Sequence, residues 1–309
     1  MQSDKIFEIQ TASDFEALAF EVFEYQYTNC KVYQEFCDHF KKNPNNVSKI
    51  NQIPFLPIEF FKNHQILSTH QLVQKVFESS GTTGQITSKH HITDIELYRQ
   101  NFCRIFQSHY GDIKDYAILA LLPSYLERDG SSLIYMVNHL IKKTRHPDSG
   151  FFLNDLKALK EKLLKLEAKK QKTILIGVSF ALLDFIEEYP MRLDNTIVME
   201  TGGMKGRRKE ITREELHKTL SKGFGVKQIH SEYGMTELLS QAYSKGNGIF
   251  ELPKTMSVFI RDPENPLNLF EEYGKSGGIN VIDLANINSC AFVATQDLGQ
   301  KVKKNQIKI

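Results

Sequence analysis

The stretch TILIGVSFALLDFIEEYPMRLDNTIVME, residues 173–200, decides the fold class. Residues 173–178 form a continuous apolar run that is typical of a buried strand, and residues 196–200 form another. Between them, ALLDFIEEY has the composition of a helix. Strands that alternate with helices predict an α/β fold with a largely parallel sheet.

The same alternation continues on both sides of this stretch. Residues 116–122 (YAILALL) and 226–230 (VKQIH) are predicted strands, and residues 155–172 are an amphipathic helix with leucines on one stripe. Thr212 and Glu215 have the spacing of a capping box, which opens a further helix. The central part of the chain is therefore predicted to be one α/β unit.

The two ends of the chain have a different pattern. Residues 13–40 are predicted to be helical, with Ser13 as the cap and Glu16 three positions later. Beyond residue 249, short strands separated by glycine and proline replace the helical pattern, and the lysine-rich segment 300–309 is predicted to be a solvated tail.

Composition limits the class of function. The 309 residues include 39 basic and 37 acidic ones, so the net charge of +2 favours neither a nucleic acid nor an anionic membrane as partner. The four cysteines, Cys30, Cys37, Cys103 and Cys290, form no CxxC pair and predict reduced thiols. The sequence contains no signal-peptide pattern and no apolar run long enough for a membrane span, so we expect a soluble cytoplasmic protein.

Ligands of such folds bind where the carboxyl ends of the strands meet the following loops. That rule selects four loops, at residues 79–91, 123–132, 200–209 and 230–240. Candidate binding residues occur in three of them.

The first loop begins with SSGTTG, residues 79–84, after a predicted strand within residues 71–79. Its glycines let backbone amides approach an anion, its hydroxyls add donors, and Lys89 could supply a point charge for a phosphate. A polar hairpin is the equally open alternative, with the basic cluster of residues 89–91 solvated. Thr93 and Glu96 predict a capped helix directly after the loop.

The loop HSEYGMTEL, residues 230–238, carries groups that suit a nucleotide, and a helix is predicted to begin near Thr236. Tyr233 offers a face on which a base can stack, Thr236 a hydroxyl for phosphate, and Glu237 a hard oxygen ligand for magnesium. The alternative is a loop in which Thr236 caps a following helix and Glu237 interacts with the helix dipole.

Two further segments are candidates. ETGGMKGRRKE, residues 200–210, could form the wall of a nucleotide pocket through its glycines, or it could be a solvated basic loop. In ATQDLG, residues 294–299, Asp297 could accept bonds from both hydroxyls of a ribose, although Asp-Leu-Gly is also a common turn.

A competing motif is IGVSFA, residues 176–181, which resembles the nucleophile elbow of serine hydrolases with Ser179 as nucleophile. Ala181 replaces the final glycine of that motif. His230 and Asp283 could complete a triad, but they occur in the order opposite to the usual one. The alternative places Ser179 at the end of a buried strand.

SSGTTG followed by YGMTE resembles the adenylate-forming superfamily, which includes acyl-CoA synthetases and phenylacetate-CoA ligases. TGG (201–203) and TQD (295–297) follow the order of the superfamily. The N-terminal IPFLPIEFFK and the small size are most similar to the acyl-protein synthetases of bacterial luminescence systems. The resemblance covers residues 50 to 299 and implies the large α/β domain of these enzymes, with the C-terminal lid reduced or absent.

The resemblance implies a reaction in two steps. A carboxylate, most often that of a long-chain fatty acid, attacks the α-phosphorus of ATP to give an acyl-adenylate, and a thiol then takes the acyl group. ATP and Mg²⁺ would be the cofactors. The thiol would belong to an acyl-accepting protein such as a fatty-acyl reductase.

The resemblance also assigns roles to single residues. Thr236, Glu237 and Lys89 would be catalytic, with Thr236 at the α-phosphate and Glu237 holding magnesium. Tyr233 and Gly234 would lie at the adenine, and Asp297 would bind the ribose. The remaining nucleotide-binding residues are glycines beside the adenine and the phosphate loop: Gly202, Gly203, Ser79, Ser80, Gly81, Thr82, Thr83 and Gly84.

The implied domain organisation is one AMP-binding domain over residues 1–299, with a helical part at about 1–70, followed by the short tail. The superfamily usually continues into a lid with a catalytic lysine, and the acyl-protein synthetases have a cysteine near the C-terminus. The chain is therefore expected to be truncated. A phenylacetate-CoA-ligase-like enzyme and a non-catalytic nucleotide- or acyl-binding module are the alternatives.

Overall fold

The computed structural model describes residues 2–80, 86–123, 130–204 and 207–309. Helices follow the apolar periodicity of the sequence and most are capped by a side chain. Within these ranges they are α1 (Ala12–Asn29), α2 (Lys31–His39), α3 (Phe60–Asn63), α4 (Ile95–Tyr110), α5 (Ser132–Thr144), α6 (Leu156–Ala168), α7 (Ser179–Glu188) and α8 (Arg213–Phe224).

The predicted strands at residues 116–122, 173–178 and 196–200 are present, whereas the strand predicted at residues 226–230 begins only at His230 and extends to Tyr233. The strands of the described ranges follow in chain order. They are β1 (Leu56–Pro57), β2 (Lys75–Glu78), β3 (Lys89–Ile92), β4 (Ala117–Leu121), β5 (Gly150–Phe151), β6 (Thr173–Val178), β7 (Thr196–Thr201) and β8 (His230–Tyr233). The chain continues with β9 (Ala242–Ser244), β10 (Ile249–Glu251), β11 (Met256–Arg261), β12 (Leu269–Phe270), β13 (Ser276–Asp283), β14 (Phe292–Lys303) and β15 (Gln306–Lys308).

One large sheet organises the molecule, in the order β12-β11-β13-β14-β15-β10-β9-β8-β7-β6-β4-β5. The part from β5 to β8 is parallel, and from β8 to β12 every neighbouring pair is antiparallel. The parallel strands β4 and β6 are buried at every position, as strands with helices on both faces must be. The predicted α/β fold is confirmed.

The N-terminal helices pack against the antiparallel part of the sheet. The ring of Tyr33 stacks on that of Phe292 with centroids 5.9 Å apart, and Phe23 meets Phe292 edge to face at 6.0 Å. Gln26 donates to the carbonyls of residues 286 and 287 and accepts from the amide of Ala291. These contacts join the first helices and the last strands into one core.

Several boundaries differ from the sequence prediction. Helix α1 is capped by Thr11, which pairs with Asp14, because these side chains satisfy the first free amides; Ser13 lies inside the helix. Likewise α4 is capped by Asp94, whose carboxylate accepts from the amide of Leu97, and not by Thr93. A strand, β3, lies between the SSGTTG segment and α4, and it pairs antiparallel with β2.

The C-terminal residues are also different from the prediction. Residues 300–309 are not a solvated tail, because β14 extends to Lys303 and pairs with β15. The pattern of alternate burial supplies the reason: Ile307 is fully buried between the more exposed Gln306 and Lys308. This lysine-rich segment therefore contributes apolar side chains, Ile307 and Ile309, to the core.

Candidate functional site

A cavity of about 570 Å³ lies at the carboxyl ends of β7 and β8, a size typical of small-molecule sites. It brings together residues that are far apart in the sequence. Of the predicted site residues, its described lining includes Ser79, Gly202, Gly203, Tyr233, Gly234, Glu237 and Asp297. The three loops and the ATQDLG segment therefore meet at one place, as the rule for strand ends requires.

A second cavity of about 250 Å³ adjoins the first, and the two share Glu237 and Gly234 among other residues. Ser80 and Thr236 line this second cavity. Lys89 lines neither cavity within the described part of the chain and lies 3.7 Å from Glu78, with half of its side chain exposed. The predicted residues 81–84 lie outside the described residues.

Tyr233 and Asp297 are joined directly. The Tyr233 hydroxyl donates to Asp297 Oδ2 at 2.8 Å, and the ring of Tyr233 meets that of Phe250 with centroids 5.9 Å apart. Burial, and then the charge of Asp297, raise the pKa of Tyr233 well above its ordinary value, so the phenol stays a donor. A carboxylate accepts several hydrogen bonds, and Asp297 therefore keeps acceptor sites free toward the cavity.

Thr236 is positioned by a buried histidine. His90 lies on β3, its Nδ1 is 2.9 Å from the carbonyl of Thr236, and its Nε2 is 2.9 Å from Ser289 Oγ. Burial lowers the pKa of His90 to about 4, so the ring is neutral at pH 7. Because a carbonyl only accepts, Nδ1 carries the proton and Nε2 accepts from the serine hydroxyl. The basic cluster is thus not simply solvated.

The loop that follows β8 contains no helix. The chain turns at residues 236–237 and continues to β9, which pairs antiparallel with β8. The helix predicted to begin near Thr236 is therefore wrong. The side chain of Asp283 fixes this turn, since its carboxylate accepts from the amides of Leu239 and Ser240.

Glu237 is a carboxylate in a nearly enclosed position, 5% exposed. Burial raises its pKa, while the Ser88 hydroxyl and the positive charge of Lys62 act in the opposite direction. The described residues contain no group of three or more metal-ligating acids, cysteines or histidines. Magnesium commonly binds one or two carboxylates together with substrate phosphates and water, and Glu237 fits that pattern as the protein ligand.

Lys62 is a site residue that the motif analysis missed. It is an exposed side chain of α3, lines the larger cavity and lowers the pKa of Glu237 through its charge. No ion pair involves Lys62 within the described part of the chain. The signal in the sequence was IPFLPIEFFK, in which the basic residue follows an apolar packing segment.

Two buried glutamates, Glu200 and Glu232, were also missed. Glu200 Oε1 is 3.4 Å from His217 Nε2 and 3.8 Å from Arg213 Nη1. Glu232 Oε2 accepts from the Thr201 hydroxyl at 2.6 Å, and burial raises the pKa of Glu232 to about 7. Both lie in strands whose residues are mostly buried, so a pattern of apolar runs could not reveal them.

The serine-hydrolase alternative is not supported. Ser179 is buried, and its hydroxyl donates to Glu200 Oε2 at 3.4 Å. His230 bonds the hydroxyl of Tyr110 at 3.2 Å, and Asp283 is occupied by the turn after β8. The three side chains of the proposed triad therefore have separate partners.

The fold is that of the large N-terminal domain of adenylate-forming enzymes. The structure superimposes on 2-hydroxyisobutyryl-CoA ligase in complex with 2-HIB-AMP and CoA with a TM-score of 0.67, at 11% identity, over 96% of this chain and 68% of that protein. ATP-bound MatB from Rhodopseudomonas palustris gives a TM-score of 0.55 at 17% identity, over 77% of this chain and 47% of MatB. At these identities the similarity concerns the fold.

Residues 7–116 match the family model described as acyl-protein synthetase, LuxE. A long-chain-fatty-acid–luciferin-component ligase of Photorhabdus luminescens is 31% identical over 68 residues, which are 22% of this chain and 58% of that protein. The predicted resemblance to acyl-protein synthetases is confirmed. The chain spans less than two thirds of the length of this relative and about half of MatB. The helices of the described residues include none that could cross a membrane.

Proposed function

We propose that this chain activates a carboxylic acid with ATP to form an acyl-adenylate and then passes the acyl group to a thiol. One observation carries the proposal: the larger cavity gathers Ser79, the glycines of residues 202–203, Tyr233, Glu237 and Asp297 from four separate segments. Each of these types of residue suits a different part of ATP. A fold shared with adenylate-forming enzymes supports the same assignment.

The proposed roles follow from the chemistry of each group. The face of Tyr233 receives the adenine, Asp297 accepts from the ribose hydroxyls, and Glu237 holds magnesium on the phosphates. Attack of one anion on another needs cations and donors more than it needs a base. Lys62 adds a positive charge near Glu237. Residues 79–84 and Lys89 are proposed to bind the phosphates of ATP.

The finer features of the proposal come from the acyl-protein synthetases. The name of the curated relative makes a long-chain fatty acid the first substrate to test, with transfer to a thiol of an acceptor protein such as a fatty-acyl reductase. We also propose one AMP-binding domain for the described chain and Mg²⁺ as the metal. The four cysteines are free, as in a reducing compartment, and we place the enzyme in the cytoplasm.

Exchange of labelled pyrophosphate into ATP tests the first step, since it requires an acid that is adenylated reversibly. Glu237→Gln should lower the exchange rate roughly 100-fold, because it removes the carboxylate that holds the metal beside the reacting phosphate. Glu161→Gln on the exposed face of α6 is the matched control and should leave the rate unchanged.

Three outcomes would change the proposal. Equal exchange by the Glu237 and Glu161 variants would contradict the role of Glu237. ATP binding without exchange for any acid would identify a binding module. Transfer of the acyl group to coenzyme A, but not to a protein thiol, would identify a CoA ligase.

A further inference from the structure

The second cavity lies beside the proposed nucleotide site and has its own polar lining. Its described lining includes Ser79, Gly202, Glu232, Met235 and Glu237, which also line the larger cavity. A molecule in the second cavity would therefore reach the atoms that we assign to ATP. The rest of its described lining comes from the end of β2 and the residues after it, from α4, from the end of β7, from the start of α5 and from residues between β8 and β9.

Gln241 is the first unusual feature of this lining. It is 3% exposed, and its Oε1 is fully enclosed without a hydrogen-bond partner. No residue of the described ranges bonds the other end of this carboxamide. An enclosed polar group without a partner is destabilising, and a ligand that bonds it would recover that cost.

Glu232 is the second unusual feature of this lining. Its Oε2 accepts from Thr201, but its Oε1 has no donor among the described residues, and the side chain lines both cavities. A Cβ atom at position 234 would lie 2.6 Å from this Oε1, so Gly234 leaves the space that the carboxylate needs. A buried carboxylate with one partner is incompletely satisfied.

The charge of the lining has one sign. The described lining contains three acids, Glu78, Glu232 and Glu237, and no lysine, arginine or histidine. Glu78 is partly neutralised by Lys89 outside the cavity. The apolar share of the lining, which includes Leu133 and Met136 of α5, can accept carbon atoms. A hydrocarbon chain without polar groups would leave the Gln241 carboxamide and the Glu232 carboxylate without hydrogen-bond partners, which would weaken its binding.

We propose that the second cavity selects a carboxylic acid that carries a hydrogen-bond donor, an ammonium or a hydroxyl group, which Gln241 and Glu232 bind. This inference rests on the proposed adenylation and names the class of its acid. It differs from the unsubstituted fatty acid that the name of the curated relative suggests.

The test compares acids that differ in the donor alone. Pyrophosphate exchange and calorimetric binding are measured with butyrate, with its amino- and hydroxyl-substituted forms at each carbon, and with tetradecanoate. The best substituted acid should exceed butyrate by at least about 10-fold in kcat/KM, because a site built to bond a donor discriminates strongly against its absence. Amino- and hydroxyl-substituted acids are separate arms that identify the donor.

Variants connect the selectivity to the two residues. Gln241→Met keeps the shape of the side chain without its polar end and should bring the ratio to within about twofold of one. Gln107→Met on the exposed face of α4 is the matched control and should keep the wild-type ratio. Glu232→Gln should weaken an ammonium substrate about 10-fold and a hydroxyl substrate less, since it removes the charge but keeps an acceptor.

The outcomes separate the inference from the proposed function. Exchange that is as fast with butyrate or tetradecanoate as with every substituted acid would overturn the inference and leave adenylation standing. An unchanged ratio in folded Gln241→Met would also overturn it. Tight binding of a substituted acid without exchange would support the inference and contradict adenylation, and absence of both binding and exchange would overturn the two together.

Discussion

The surroundings of Glu200 and Glu232 differ, although the two side chains lie on neighbouring strands and are 5% and 8% exposed. Glu200 is surrounded by His217, Arg213 and Ser179. Glu232 has Thr201 as its one hydrogen-bond donor within the described chain. Burial favours the neutral form of both carboxyls and so raises the pKa of each. For Glu200 this effect is outweighed by the hydrogen bond to His217 and the charge of Arg213, which bring the pKa below its ordinary value. For Glu232 burial prevails, and the pKa rises to about 7.

The difference follows from the pleat of the sheet. Across β7 and β8, Glu200 is opposite Ser231, and Thr201 is opposite Glu232. Successive side chains of a strand point to opposite faces, so the two glutamates face different layers. The layer on the side of Glu200 supplies Arg213 and His217 as its partners, whereas Glu232 lacks such partners, although both carboxylates line the larger cavity. A buried acid with its partners present is structural, and one that lacks partners is suited to a ligand.

The largest effect is expected for Glu200→Gln. The variant should lose about 2–4 kcal/mol in free energy of unfolding at pH 7, because Arg213 loses its buried counter-charge and the hydrogen bond between Glu200 and His217 is perturbed. Since the folded pKa of Glu200 is lowered, its contribution is present above the ordinary value of 4.5 and is lost as the pH falls through the folded pKa. Urea unfolding followed by circular dichroism at neutral and acidic pH measures both.

The control for this experiment is Glu161→Gln, which is exposed and should change stability by less than about 0.5 kcal/mol. If the Glu200→Gln variant were as stable as the Glu161→Gln control, the partners of Glu200 would not stabilise the fold, and the contrast between Glu200 and Glu232 would be wrong.

A smaller effect of opposite sign is expected for Glu232→Gln. A pKa raised from 4.5 to about 7 corresponds to a penalty of at most about 3 kcal/mol when the carboxyl is ionised. The folded protein therefore loses stability as the pH rises through 7, and the variant should be more stable than the wild type at pH 8 but not at pH 5. Urea unfolding at the two pH values measures the difference.

The neighbours of Glu232 keep this result interpretable. Burial raises the pKa of Tyr98, Tyr110 and Tyr243, so these phenols remain neutral over the same range. Glu200, the nearby acid on β7, is already ionised at pH 5, since its pKa is lowered. If the difference in stability between the Glu232→Gln variant and the wild type were the same at both pH values, the pKa of Glu232 would not be raised in the folded protein.

The smallest effect is expected for Ser179→Ala. Its hydrogen bond to Glu200 is long, at 3.4 Å, so its loss should cost less than about 1 kcal/mol in free energy of unfolding. Pyrophosphate exchange should stay within about twofold of the wild type. A loss of esterase activity in this variant, with exchange absent from the wild type, would support the hydrolase alternative after all.

The parallel part of the molecule was predictable because its signals are local. The run TILIGV became β6 with the predicted bounds, and the capping box of Thr212 and Glu215 does open α8. The antiparallel part was less predictable. Residues 306–308 pair with residues 249–251, which lie 55–59 positions earlier, and also with residues 300–303. Nothing in a lysine-rich segment indicates such partners.

The candidate site was also predictable only in part. The types of residue in SSGTTG, YGMTE and TQD indicated a nucleotide from the sequence, since their chemistry is a property of the side chains themselves. The sequence did not indicate which lysine side chains lie at the site. The sequence favoured Lys89, which pairs with Glu78, and passed over Lys62, which lines the cavity from α3.

The sequence by itself determined the α/β class, the buried strands and the loops that meet at their ends, because periodicity and turn residues act over short distances. The tertiary structure decided which polar groups are satisfied. His90 is bonded at both nitrogens, Glu200 has partners on several sides, and Gln241 has none in the described chain. Burial and partners are properties of the folded packing, and they depend on segments that the chain brings together from far apart.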